Sequence, residues 1–251
     1  MLLYVLFFGV LGLVFGSFLN VVIWRVPRGE SIVSPGSHCP ECGHILRFWE
    51  LIPVISFLLL KGKCSRCGLK ISLRYPAVEI LTGLLFVLVY LFRTERNMIG
   101  IILDLAFVAF LIALAFIDIA TFRLPDVLVL GIVLIGLINP LLTKDPLFWL
   151  SLLGAGTAGG VFTLIAYFYP EGMGWGDVKF VAALGLYLGV PGIFSAVFFA
   201  SLLGVIIGGL RIIVYKKDFK DPIPFGPFLA GGAVIVLLFG SKLRDILFFL
   251  T

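Results

Sequence analysis

Charge is scarce in this chain: Asp, Glu, Lys and Arg make up 13% of 251 residues, about half the share usual in soluble globular domains. That shortage, with 61% hydrophobic residues and 25 Phe, excludes an ordinary soluble domain and marks an integral membrane protein. Period-two alternation of the outer-membrane-barrel kind is absent, which leaves helices as the spanning element. No basic residue precedes the first apolar run, and Arg25 and Arg28 follow it, so residues 2–18 read as an uncleaved first span rather than a signal peptide. No internal repeat or low-complexity tract is visible. No Gly-rich strand-to-helix turn of the soluble methyltransferase kind is present either. Cysteine is confined to one loop, where all 4 lie.

What is present is a series of apolar runs long enough for a ~30 Å hydrocarbon layer, about 20 residues each. Eight spans are expected, near 2–24, 75–92, 98–117, 126–142, 147–169, 178–190, 192–214 and 224–240, the sixth of them short. Pro191 with Gly192, and Pro222 with Pro224 and Pro227, mark helix ends. The fold class is an all-α integral membrane protein of about eight transmembrane helices, with a small zinc-binding cytoplasmic domain between the first and second. Its parts are a first helix, 1–24, a loop domain, 25–74, and a seven-helix membrane core, 75–251.

Lys and Arg set the orientation. Of the 19 basic residues, 14 fall on the side that carries the 25–74 loop and 5 on the other. The excess places that loop in the cytoplasm and both termini outside. The formal charge of +5 then belongs mostly to a cytoplasmic face suited to anionic lipid headgroups, and requires no nucleic acid.

The 25–74 loop contains HCPECGH at 38–44 and KCSRCGLK at 63–70. Within it LIPVISFLLL, 51–60, is about half the length of a span and reads as interfacial or re-entrant. Cys39-x-x-Cys42 and Cys64-x-x-Cys67 suit tetrahedral zinc, since each pair offers two thiolates to one ion and two pairs close the shell. Gly43 and Gly68 follow the second cysteine of each pair, where the turn favours a missing side chain. Lys63, Arg66 and Lys70 offset the charge of four thiolates. Disulfides, a thioredoxin-like redox pair and free thiols are the competing readings. His38 and His44 are alternative ligands or solvated loop residues. A closed four-ligand centre is structural, because it leaves no position for a substrate.

Acidic residues in or beside apolar runs are functional candidates by default: Glu79, Asp104, Asp118, Asp126 and Asp177. Helix capping competes for Asp126 and Asp177. It does not serve Asp118, which ends a span where the helix dipole disfavours negative charge. The third span enters the cytoplasmic face and the sixth leaves it, so Asp118 and Asp177 share a depth. Two carboxylates so placed hold a proton between them and act as base and acid, the arrangement of an aspartic protease. Gly172, Gly174 and Gly176 let an extended peptide lie close to Asp177. Glu79 is either a partner for a cationic group or a helix-end partner of Arg74. Asp104 receives no catalytic role. The reading of another class is a transporter or channel with cation-binding carboxylates and a regulatory zinc loop.

The chain resembles the type IV prepilin peptidases, which share Gly-x-Gly-Asp, here Gly174-Trp175-Gly176-Asp177, with the wider intramembrane aspartyl proteases. The likeness covers nearly the whole chain through FGSFLNVVIWRVPRGESIVSPGSHCPECGH (15–44), ELIPVISFLLLKGKCSRCGLKISLRYPAVE (50–79), IDIATFRLPD (117–126), GMGWGDVKF (172–180) and PFGPFLAGG (224–232). It implies that Asp118 and Asp177 are the catalytic pair and that Asp126 is not catalytic. It implies prepilin and pseudopilin substrates, cut in the bacterial cytoplasmic membrane at its cytoplasmic face. The cysteine-bearing loop implies, further, N-methylation of the new terminus with S-adenosylmethionine.

Overall fold

A computed structural model describes residues 1–93, 97–215 and 222–248. Regular structure among them is helical apart from two isolated bridges, His38 to Ile45 and Lys63 to Lys70. The helices are α1 (Leu2–Arg25), α2 (Ile55–Leu59), α3 (Arg74–Phe92), α4 (Met98–Thr121), α5 (Asp126–Thr143), α6 (Phe148–Phe168), α7 (Trp175–Tyr215) and α8 (Gly226–Phe248). Six of the described helices, α1 and α3 to α7, are long and apolar enough to cross a membrane, and the apolar part of α8, Gly226–Gly240, is shorter. The expected sixth and seventh spans run together as α7, broken where Gly189 adopts φ 69°, ψ 179°. The break therefore falls two residues before Pro191, which lies inside α7, because only the glycine takes up the non-helical turn. Lys216, Lys217, Lys220 and Arg96, which enter the charge count, lie outside the described residues.

Two units pack separately, Met1–Leu91 and Phe92–Thr251. In the first, α1 and α3 run antiparallel: Phe8 stacks on Tyr90, Phe15 meets Phe86, and Asn20 reaches Tyr75. Close approach is built in at Gly16, where a Cβ would stand 2.6 Å from the Glu79 Cα, the small-residue packing common where helices meet in lipid. The 51–60 segment does not span. It forms a 3₁₀ turn ending at Leu51 and then the single-turn α2.

In the second unit α7 packs on α5, α6 and α8, and α4 packs on α5 and α8. Asn97 caps α4 by accepting from the Ile99 N–H at 3.1 Å, while Phe122 closes its other end in the left-handed conformation, φ 53°. Asp104 is buried inside this unit. It accepts from the Tyr187 hydroxyl at 2.6 Å and is ion-paired with Arg93, and the Tyr187 ring stacks on Phe107. That pairing answers the cost of a carboxylate in the apolar core. Asp104 lies 14 residues from Asp118, or ~21 Å along α4 at 1.5 Å per residue, so it belongs to a different level of the unit.

Candidate active site and metal centre

Asp118 sits in the last turn of α4, 5% exposed, at the end whose unpaired carbonyls repel a carboxylate. The structure compensates from another helix. The Gly226 N–H, at the first residue of α8, donates to Asp118 Oδ2 at 3.0 Å, so the positive end of α8 faces a charge that the end of α4 disfavours. Gly226 must lack a side chain, since a Cβ there would lie 2.7 Å from Asp118 Oδ2.

Asp177 is the third residue of α7, not its N-cap. Its own N–H donates to the Gly174 carbonyl at 3.1 Å and its carboxylate takes a backbone hydrogen bond from Gly174. This is one half of a capping box, with an acid in the third position reaching back to a cap that, as glycine, has no side chain to return the bond. Asp118 and Asp177 are near enough to interact electrostatically. Leu124 packs beside the starts of both α7 and α8, since Cβ atoms at Gly176 and Gly226 would stand 3.4 Å and 3.2 Å from its side chain. The three glycines differ in surroundings. A Cβ at Gly174 would touch the Asp177 carboxylate at 3.6 Å, an ordinary contact, Gly176 lies against Leu124, and Gly172 lies against the Tyr169 ring. Asp126 stands apart, exposed at the first position of α5 behind Pro125, with its carboxylate on Lys179 Nζ at 2.9 Å and 3.2 Å.

The four cysteines come together in the first unit, with all Sγ atoms within 4.8 Å of one another. Two matching turns present them: Cys39 N–H donates to His44 and Gly43 N–H to Cys39, and Cys64 N–H to Leu69 and Gly68 N–H to Cys64. Gly43 and Gly68 adopt φ 65° and φ 72°, the left-handed turn expected after each pair. None of the four is in a disulfide. Backbone N–H groups of Cys67 and Arg66 lower the Cys64 thiol pKa, while burial and the neighbouring thiols raise that of Cys67, so the cluster ionises one thiol ahead of the others. The cluster can hold a metal ion.

Neither histidine joins it. His38 Nδ1 lies 3.0 Å from the Gly36 carbonyl, and His44 Nε2 lies 3.1 Å from Glu50. Glu50 is a residue that sequence reasoning misses. Its carboxylate accepts from the Arg47 N–H at 2.7 Å and from the Ser65 hydroxyl. It thereby ties His44, just after the first cysteine pair, to Ser65, inside the second. The Arg47 N–H, then Ser65 and His44, hold the Glu50 carboxyl below the usual carboxylate range. Gly226 is the other omission. The motif around it is visible in sequence, but its contact spans 108 residues.

The first unit also holds Glu79, which does not pair with Arg74. It accepts from the Val54 N–H at 2.8 Å and pins Val54 at φ 62°, a conformation costly for a β-branched side chain.

The class these features define is a multi-pass helical membrane protein with two carboxylates within electrostatic range of each other at helix ends, and a four-cysteine centre. The model described as "Bacterial Peptidase A24 N-terminal domain" matches residues 10–92, and that described as "Type IV leader peptidase family" matches residues 105–209. Among curated relatives, each called prepilin leader peptidase/N-methyltransferase, a Myxococcus xanthus protein is 40% identical over 84% of this chain and 64% of its own length. A Bacillus subtilis protein is 33% identical over 93% of this chain and 94% of its own, and a Neisseria gonorrhoeae protein is 36% identical over 96% and 93%. The chain belongs to the type IV leader peptidase family. No solved structure matches it significantly.

Proposed function

We propose that this protein cuts the leader from prepilins and pseudopilins and then N-methylates the new terminal residue, and that Asp118 and Asp177 do the cutting. The observation that carries the reading is that these two carboxylates lie within electrostatic range of each other, at the N-terminal ends of α8 and α7. One carboxylate takes a proton from a water as its oxygen attacks the scissile carbonyl carbon, and the other gives a proton to the carbonyl oxygen. Collapse of the tetrahedral species breaks the C–N bond, and the amine leaves with the proton returned by the pair. The backbone N–H groups of Gly226 and Gly174 orient the two side chains. Gly174, beside Asp177 and without a side chain to cover its carboxylate, is where an extended leader lies closest.

The cysteine centre holds zinc. A Zn–S bond of ~2.3 Å gives a tetrahedral edge of about 3.8 Å, and Cys39 Sγ and Cys67 Sγ lie 3.9 Å apart. Zinc there ties the 25–74 loop domain together. S-adenosylmethionine, when bound, supplies the methyl group that the new terminal amine receives. The first unit has room for such a ligand in a cavity of about 420 Å³, and Asn20 and Arg74 among its lining residues each hold a buried polar atom without a partner. We place the active site and the zinc loop on the cytoplasmic face of the bacterial inner membrane with both termini outside, on the charge asymmetry, and membrane lipids around the apolar exposed faces. Family membership does not favour the transporter reading.

The test is incubation of a prepilin with the purified zinc-loaded protein in detergent, with and without S-adenosylmethionine, followed by mass spectrometry. Loss of the leader, then a gain of one methyl with the donor present, is expected. Intact prepilin after incubation with folded protein, across several matched prepilins, overturns the proposal.

A further inference from the structure

The cavity in the unit Met1–Leu91 has a volume of about 420 Å³, inside the ~300–1,000 Å³ of small-molecule sites. Asn20 and Arg25 on α1, Arg74 and Glu79 on α3, and Cys39 and Cys64 of the metal centre contribute to its wall. Its lining is mainly apolar, so the few polar groups that face it stand out.

Asn20 is the most informative of them. It is 3% exposed, and its Nδ2 donates to the carbonyls of Gly16 at 3.2 Å and Tyr75 at 3.1 Å. Those two acceptors fix the orientation of the carboxamide, because a flipped amide would face two carbonyls with its oxygen. Oδ1 is left buried with no partner. A buried acceptor without a donor is costly and needs an explanation. Arg74 presents a second such group, a buried Nε without a partner, on a guanidinium held near the rings of Trp24 and Tyr75, 5.8 Å and 5.1 Å from their centroids. Glu79 adds a carboxylate, held in place by the Val54 N–H. All three residues line the one cavity.

An orphaned acceptor, a preoriented guanidinium fork and a carboxylate in a mainly apolar pocket complement a ligand with a hydrogen-bond donor, a carboxylate, a cationic centre and an apolar body. We infer that this cavity binds S-adenosylmethionine: Arg74 takes its α-carboxylate, Asn20 Oδ1 accepts from its α-ammonium, and Glu79 faces its sulfonium. The inference rests on the methyl-transfer reading above. It also gives the metal centre a structural part in methyl transfer, since the cysteine turns form one side of the pocket and the ion holds that side in place.

The experiment measures binding to the full-length, zinc-loaded protein in detergent, without prepilin, using S-adenosylmethionine and the product S-adenosylhomocysteine, which lacks the sulfonium charge, as probes in equilibrium dialysis. Glu79→Gln keeps an oxygen for the Val54 N–H and removes the charge. It is expected to weaken S-adenosylmethionine roughly ten- to hundredfold, the worth of a hydrogen bond or contact with a charged group, while leaving S-adenosylhomocysteine unchanged. Arg74→Gln is expected to weaken both probes by a similar factor, with Arg74→Lys between it and wild type because the point charge lacks the fork. Ile80→Ala, an exposed position on the same helix, is expected to change neither. Zinc content and melting temperature establish that each variant is folded. Folded Glu79→Gln and Arg74→Gln proteins that bind both probes as tightly as wild type overturn this site and leave the methyl-transfer reading standing. Wild-type protein that binds neither probe and methylates no cleaved pilin overturns that reading together with the site.

Discussion

Replacing Gly226 by alanine tests the geometry of the carboxylate pair with one methyl group. The backbone at Gly226 is outside the left-handed region, and alanine is the better helix former by up to about 1 kcal/mol, so α8 gains rather than loses. The new Cβ would stand 2.7 Å from Asp118 Oδ2 and 3.2 Å from Leu124, where ordinary contact begins at 3.4 Å. Something must shift by about 0.7 Å, and the carboxylate is the nearest atom to do it. That movement also lengthens the 3.0 Å bond from the Gly226 N–H. Displacement of a catalytic group on the order of 1 Å costs about 10²-fold, so single-turnover leader cleavage should fall by roughly that factor with KM little changed and the melting temperature no more than several degrees below wild type. Gly174→Ala is the contrast. Its Cβ fits 3.6 Å from Asp177 Oδ2, so the pair is undisturbed and the loss should appear in KM, where the peptide backbone meets the methyl. Cleavage by Gly226→Ala at the wild-type rate would refute the role given to the α8 terminus.

Tyr187→Phe removes one hydrogen bond to a buried carboxylate while keeping the ring on Phe107. At about 1.5–3 kcal/mol for a bond to a charged group and ~2–4 °C per kcal/mol in chains of this size, it should melt several degrees lower with cleavage intact, and an unchanged melting point would remove this bond from the account. The Glu50 carboxyl is held below its ordinary range, so its stabilisation is complete above about pH 4.3 and is lost as the pH falls through the lower folded value. Zinc release into a chelator should therefore be flat for this group from pH 5 to 8 and rise below pH 4. Glu50→Gln should speed release throughout and weaken zinc about 10–100-fold, as for a group that orients a metal centre, and a variant that holds zinc like wild type would contradict that role. Cys39→Ser and Cys64→Ser should abolish methylation before they reduce cleavage, and mass spectrometry showing the reverse order would contradict the structural part assigned to zinc.

Where the chain punctuates itself, the sequence alone locates the elements. The apolar runs give most helix ends to within a few residues because their length answers to the bilayer, although α8 runs on to Phe248, past the expected end at 240. The knuckles are equally legible, since C-x-x-C followed by glycine encodes a turn within five residues. The long-range contacts are not. Gly226 meets Asp118, Tyr187 meets Asp104, and Glu50 joins His44 to Ser65 through folding that no local pattern records. The break in α7 shows a different limit. Pro191 is the louder signal, yet Gly189 carries the turn, because glycine takes the non-helical φ while a proline is tolerated at the start of the next helical stretch. Asp177 shows a third, since a carboxylate three residues into a helix and one at its cap have the same composition and differ only in register.

The account's central claim is that Asp118 and Asp177 work as one unit, and single-turnover cleavage by Asp118→Asn, Asp177→Asn and the double variant tests it most directly. Residues that act together are not additive. Each single variant should lose cleavage by ~10²–10⁴-fold or more while keeping zinc and melting temperature, and the double should be no worse than either. Losses that multiply in the double variant, or one aspartate whose amide cuts at the wild-type rate, would contradict the claim.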